Sequence, residues 1–260
     1  MTEAGSIIVE PGSQGVVKLI ISRPAKLNAM TAAMYAQFSD AVLEISADEA
    51  VRCVILRGAG SRAFCAGSDI GEFSAAIGDS KALREAAAVG RQAMDTLLAC
   101  PHPIVAAIDG ACFGGGLQIA AACDLRVAST DARFGIPIKA LGIFAEAADL
   151  QVMTRTLGTA LSLELLLTGR TLTSSDAMRA GFICRVEDDS FEAARTTAEA
   201  IASGAPLAAR WHKRALRHIA DDANAVTTLH AVGLAGFDTA DFAEGCAAFL
   251  AKRTPRFIGA

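Results

Sequence analysis

Three observations predict an α/β fold. Short apolar runs alternate with longer stretches of helical periodicity through the first 204 residues, the pattern of strands joined by crossover helices. Strand signals fade after about residue 205, where only helical patterns remain. The chain of 260 residues is 52% hydrophobic and 20% charged, enough to bury a full core. The expected organisation is an α/β core over residues 1–204 and a C-terminal helical segment over 205–260.

The elements follow in order. Ile7–Val9 and Val16–Ile21 read as strands on either side of a Pro-Gly-Ser-Gln-Gly turn. Pro24 and Asn28 mark a loop. Thr31 is placed to cap a helix running to about Ala47, whose apolar positions are Met34, Phe38, Ala41, Val42 and Ile45. Val51–Arg57 has the unbroken apolar character of a buried strand, and Ala82–Ala99 is helical. Pro101 and Pro103 stop that helix before the strand Ile104–Ile108. A helix from about Gly115 to Cys123 leads into the strand Leu125–Ala128. Helices are predicted over Glu146–Leu157, Ser162–Thr168, Ser174–Ala180 and Phe191–Ala202, with Phe182–Val186 a short strand. Leu207–Ala220 and Ala223–Leu250 complete the helical segment.

Composition excludes several classes. A net charge of −4 leaves no basic face for nucleic-acid phosphates and no polybasic membrane patch. No apolar run reaches the length of a membrane-spanning helix. Met1-Thr2-Glu3-Ala4-Gly5 lacks the basic and apolar regions of a secretory leader, so a cytoplasmic protein is expected. The seven cysteines include no Cys-x-x-Cys pair and read as buried, reduced thiols. The four histidines show no His-x-x-x-His spacing, and no metal site is expected.

Two segments carry the chemistry. Phe64-Cys65-Ala66-Gly67-Ser68-Asp69 and Gly110-Ala111-Cys112-Phe113-Gly114-Gly115-Gly116 each follow a strand-like run and are rich in small residues, which let backbone approach a ligand closely. Two backbone N–H groups converging on one carbonyl oxygen would form an oxyanion hole. Neither segment is a Gly-x-Ser-x-Gly elbow, a Rossmann turn or a P-loop. Asp69 reads as the cap of a helix starting near Ile70, Tyr35 and Trp211 as packing residues, and His102 as a loop residue between two prolines. Asp149 is expected to face solvent or pair with Arg155.

These segments sit in an ordered set: Arg23-Pro24, Leu27-Asn28-Ala29-Met30, Ala63 to Asp69, Gly110 to Gly116, Phe134-Gly135 with Pro137, Leu141-Gly142, and Leu167-Thr168-Gly169-Arg170. The tail Glu244 to Arg253 continues it. The set resembles the crotonase superfamily, the enoyl-CoA hydratases and isomerases, over nearly the whole chain. The resemblance implies a spiral of ββα units with a C-terminal trimerisation region, assembled as homotrimers or as hexamers that are dimers of trimers. It also implies an acyl-CoA thioester substrate. No separate cofactor is implied, because coenzyme A is part of the substrate. Carried over, the oxyanion hole is the backbone N–H of Ser68 and of Gly115. Ala25, Lys26 and Leu27, with Ala66 and Ile70, fall in the substrate-binding stretches for coenzyme A, and Lys252 reaches toward its phosphates, in its own or a neighbouring subunit.

The departures from the pattern are informative. Hydratases of this family use two glutamates to hold and activate water. The matching positions here are Gln118 and Ile138, and neither side chain can take up a proton usefully. Glu146, four residues after Gly142, occupies a position similar to that of the catalytic acid of Δ3,Δ2-enoyl-CoA isomerases. One carboxylate suffices for a proton shift, and Ile138, Ile143 and Phe144 are expected as apolar walls that raise its basicity. An isomerase is the leading reading. A hydratase/lyase, hydrolase or decarboxylase of the same superfamily, and a non-catalytic acyl-CoA-binding protein, stand beside it.

Overall fold

The computed structural model describes residues 5–222 and 225–260. The leader reading of residues 1–4, and Ala223 and Asn224 of the last predicted helix, lie outside the described residues. Strands β1 (Ser6–Pro11) and β2 (Val16–Ser22) form an antiparallel hairpin, and β2 pairs in parallel with β3 (Cys53–Gly58). Between them runs α1 (Ala32–Ala47). Its N-cap is Thr31, whose hydroxyl accepts from the Met34 N–H, and Met34, Phe38, Ala41, Val42 and Ile45 are all buried as the spacing predicts.

From β3 onward the chain repeats a two-strand unit. Strand β3 is followed by β4 (Ala63–Cys65), then α2 (Ile70–Ala75) and α3 (Ser80–Ala99). Strand β5 (Ile104–Ile108) is followed by β6 (Ala111–Phe113) and α4 (Gly115–Ala122). Strand β7 (Leu125–Ala128) is followed by β8 (Arg133–Gly135) and α5 (Ala147–Thr168), which is interrupted at Gly158 (φ 75°, ψ 159°). The first strand of each unit joins one sheet and the second joins another. With β9 (Leu172–Thr173) and β10 (Arg185–Val186), the six-stranded sheet has the order β1-β2-β3-β5-β7-β10 and the four-stranded sheet the order β4-β6-β8-β9. This is the expected spiral of ββα units.

The six-stranded sheet is covered on both faces, which accounts for the apolar runs Cys53–Leu56 in β3 and Ile104–Ile108 in β5. On one side it shares the main core with α1, α3, α4 and α5. On the other, Ala194, Ala198 and Ala202 of α7 (Ser190–Ala202) pack on Cys53, Ile55, Val105 and Val127. A short helix, α6 (Ser174–Arg179), with a capping box from Thr173 and Asp176, precedes β10.

After β10 and α7 the chain is helical. α8 (Pro206–Asp221) is tied down by cations that meet carbonyls at the ends of other helices. Arg217 donates to Leu98 O and Ala122 O, just inside the C-termini of α3 and α4, and Lys213 donates to His102 O at 2.5 Å. Both also pair with Asp124 at 2.8 Å. The long helix predicted up to Leu250 is divided into α9 (Ala225–Leu234), a 3-10 turn Ala235–Asp238 and α10 (Ala240–Leu250). All seven cysteines are free, but only five are buried, because Cys184 and Cys246 are exposed. Burial pushes the thiols of Cys53, Cys65 and Cys123 up to about 12. No described helix is long and apolar enough to cross a membrane.

Candidate active site

The site is built where β4 and β6 leave the four-stranded sheet side by side. Their parallel pairing, Cys65 opposite Cys112, brings the two small-residue segments together. After β4 the chain runs against the loop that follows β2. The Ala66 N–H donates to Leu27 O, the Met30 N–H to Gly67 O and the Asp69 N–H to Met30 O. The last two bonds use the groups on either side of Ser68. Successive N–H groups of an extended chain point in opposite directions, so the Ser68 N–H turns away from Met30. It has no acceptor among the described residues.

The second donor comes from the start of α4. Gly114 adopts φ 52° and ψ −122°, a conformation open to glycine alone, and its N–H bonds to Gly135 O. Gly115 is the first residue of the helix, where N–H groups have no intrahelical partner and the helix dipole favours negative charge. Its N–H also has no acceptor among the described residues. The segments touch: a Cβ on Gly67 would lie 3.2 Å from Gly115 N, and a Cβ on Gly115 would lie 3.7 Å from Ser68 Oγ. Gly116 packs against β4, where a Cβ would come within 2.8 Å of the Cys65 carbonyl carbon and 2.9 Å of its Cβ.

An ion pair fixes the segment that carries Ser68. Arg23, 7% exposed, donates to Asp69 Oδ2 at 2.5 Å and to Ala29 O. The Asp69 Oδ1 atom accepts from the Gly71 N–H, as a cap at the start of α2 should. The Arg23 hydrogen bond is the first of the effects that hold the Asp69 carboxyl below its usual range. Leu27 and Asn28 both sit in the left-handed region. The Asn28 side chain fixes this turn by accepting from the Arg23 N–H and donating to Ala59 O and Ala63 O.

The acids stand at the start of α5. Glu146 is its N-cap, exposed and with no capping hydrogen bond from its side chain. Asp149, one turn on, is half-buried. It lies 3.6 Å from Arg91 of α3, whereas Arg155 pairs with Asp221. The expectation of a solvent-facing or Arg155-bound Asp149 is corrected on that contact. Burial raises the Asp149 carboxyl above its usual range; Arg91 opposes this, and Glu146 and Asp95 add to it. The expected apolar walls are only partly present. Ile138 packs against the main core, while Ile143 is 43% exposed and Phe144 95% exposed. The Ile143 N–H bonds back to Ile138 O in the 3-10 turn Pro137–Leu141, and Phe144 beyond it projects from the surface of this chain.

The substrate-side positions divide. Leu27 and Ala66 are joined by a hydrogen bond, with Ala25 and Lys26 exposed beside them. Ile70 opens α2 at 45% exposure. Gln118, on α4, is half-buried, and its side chain has no hydrogen bond to another described residue. Lys252 stands apart, just past α10 and exposed, with no side-chain bond to a described residue. Tyr35 is the residue that sequence reasoning missed: its hydroxyl lies 3.0 Å from Ser68 Oγ. A lone tyrosine in the buried stripe of a helix carries no sign that its tip meets a loop more than 30 residues away.

A profile of the family described as Enoyl-CoA hydratase/isomerase matches residues 11–260. The chain belongs to the enoyl-CoA hydratase/isomerase family. Among its relatives is the bovine (Bos taurus) mitochondrial enoyl-CoA hydratase domain-containing protein 2, 34% identical over 261 residues, covering 95% of this chain and 86% of that one. A mitochondrial Delta(3,5)-Delta(2,4)-dienoyl-CoA isomerase of Dictyostelium discoideum is 33% identical over 257 residues, covering 93% and 87%. A solved enoyl-CoA hydratase from Bacillus anthracis superposes with a TM-score of 0.92 at 32% identity, covering 98% of this chain and 99% of that one. Membership in the enoyl-CoA hydratase/isomerase family makes the chain an enzyme of that group.

Proposed function

We propose that this enzyme shifts the double bond of a 3-enoyl-CoA thioester into conjugation, with Glu146 as the proton carrier. The observation that carries the reading is the pair of neighbouring, acceptor-free N–H groups of Ser68 and Gly115, in a chain with Gln118 and Ile138 where water-activating glutamates would stand. A thioester carbonyl oxygen seated on those donors acidifies the α-carbon. Glu146 takes the α-proton, the electron pair spreads into a dienolate whose oxygen is held by both N–H groups, and the same carboxyl returns the proton to the γ-carbon. Water addition would need a base and an acid working together on a bound water, and positions 118 and 138 supply neither. The turn joined by Leu27 and Ala66 holds the coenzyme A moiety.

Asp149 supports a second assignment of the acid. It is more buried than Glu146, its carboxyl is raised, and its charge reaches Tyr35 beside Ser68. A paired assay separates the readings. The purified enzyme is given a 3-enoyl-CoA and, separately, a 2-enoyl-CoA, and the conjugated thioester absorbance is followed. The expected result is a rise with the first substrate that Glu146→Gln abolishes and Asp149→Asn only reduces. Loss with Asp149→Asn alone would move the base to Asp149. A fall with the 2-enoyl substrate would mean that water is added, and the isomerase reading would be wrong.

A further inference from the structure

The hole holds more hydrogen-bond donors than its two backbone groups. Tyr35 of α1 is 7% exposed, and its Oη lies 3.0 Å from Ser68 Oγ. A Cβ on Gly115 would lie 2.6 Å from that Oη. The phenol tip therefore stands over the first residue of α4 and beside the Ser68 side chain, where a Cβ at position 115 would crowd it. Each hydroxyl brings one hydrogen, and their mutual bond uses one. No other described residue accepts from Tyr35 Oη or Ser68 Oγ, so one O–H is left to donate whichever way the mutual bond runs. Burial, then Cys65, raise the Tyr35 phenol above its usual range against the Ser68 hydrogen bond, with Asp149 adding a smaller effect, so it stays protonated and acts as a donor rather than a base.

We propose that Tyr35 is a third donor of this oxyanion hole: Ser68 Oγ–H donates to Tyr35 Oη, and the Tyr35 O–H donates to the thioester oxygen of the bound acyl-CoA. This rests on the reading of the Ser68 and Gly115 N–H groups as the hole and goes beyond it. Tyr35 is chosen over Ser68 because its oxygen is the nearer to Gly115, and because a hydroxyl that accepts one hydrogen bond donates the next more strongly.

The test is spectroscopic and does not depend on turnover. A conjugated dienoyl-CoA, 2,4-hexadienoyl-CoA, is bound to the full-length enzyme, and its carbonyl stretch and ultraviolet absorption are compared with those of the free thioester. The wild type should show a lowered carbonyl stretch and a red-shifted absorption. Tyr35→Phe should lose a measurable part of both shifts while its melting profile stays that of the wild type. Its kcat for isomerisation should fall about tenfold or more with KM nearly unchanged. Ser68→Ala should give an intermediate shift, since it removes only the group that polarises Tyr35. A folded Tyr35→Phe enzyme with the full wild-type shift overturns the third donor and leaves the two-donor hole standing. A wild type with no shift overturns both. Should Tyr35→Phe fail to fold, Ser68→Ala decides: a full wild-type shift in that variant overturns the proposal.

Discussion

Replacing Gly116 by alanine tests how closely the hole depends on the packing beneath it. Gly116 is fully buried in the first turn of α4, next to Gly115. The new methyl group would lie 2.8 Å from the Cys65 carbonyl carbon and 2.9 Å from its Cβ, and closer still to the carbonyl oxygen. These atoms belong to β4, whose strand bonds leave it little room to yield. Restoring ordinary contact distances requires α4 to move by on the order of 1 Å. Overpacking of this kind costs about 1–3 kcal/mol, or about 2–12 °C in Tm for a chain of this size. The same movement carries the Gly115 N–H with it, and a displacement of ~1 Å at a catalytic group costs about 100-fold in rate. The two readouts are a thermal melt and the rate of conjugation of a 3-enoyl-CoA, measured well below the new Tm. The expected variant is folded, with a lowered Tm, and about 100-fold slower in kcat. A folded variant with wild-type kcat would refute the claim that α4 positions the donor through its contact with β4.

Three further outcomes are expected. Asp124 holds both Lys213, whose side chain is only 6% exposed, and Arg217. Asp124→Asn leaves one nearly buried and one half-buried cation without their counter-charge, at a cost of about 2–3 kcal/mol once the partial exposure of Asp124 and Arg217 is allowed for, read by urea unfolding; an unchanged midpoint would contradict this. His102 is 1% exposed, with its Nε2 3.0 Å from Ile45 O. Burial, then Arg210 and Lys213, hold its pKa below the ordinary value, against smaller support from Ile45 O and Asp48. The folded imidazole thus takes up a proton less readily than the unfolded one, so its contribution is complete above about pH 6.5 and is lost as pH falls below that value. Tm should drop between pH 7 and pH 5 more steeply in the wild type than in His102→Gln, and equal slopes would refute the assignment. Finally, Phe237, Phe249 and Leu250 of the helical segment are 62%, 84% and 81% exposed. A trimer, or a dimer of trimers, of the 26.8 kDa chain is expected by native mass measurement, and a monomer at micromolar concentration would refute it.

The sequence was most legible where one segment carries its own instructions. Thr31 and the stripe from Met34 to Ile45 define α1 locally, and the apolar runs of β3 and β5 need no partner to be recognised. The second sheet was invisible. Its strands β4, β6, β8 and β9 span two or three residues each, too few for any periodicity, and they exist because neighbouring strands align them, parallel from β4 to β8 and antiparallel at β9. The division of the last helix at Ala235–Asp238 was also missed, although Gly233 and Gly236 flank its start. In the site, the glycines marked where main chain from two segments meets closely, because such contacts leave their mark in small residues. Tyr35 with Ser68, and Arg91 with Asp149, are contacts between distant helices and loops, and nothing in either local sequence specifies the partner.

The way Ser68 is held has a consequence for how this enzyme changes over generations. Its N–H is aimed by bonds between main-chain atoms of Gly67, Asp69 and Met30, and the second donor by the path of Gly114 into α4. A point substitution at residue 68 alters a side chain but leaves an amide in place. The aim of these two main-chain donors is therefore insulated from substitutions that leave the surrounding main chain in place. The side chains at positions 118, 138 and 146 can change without this frame being rebuilt. On the proposed reading, new reactions are then a matter of moving a carboxylate around a fixed pair of main-chain donors.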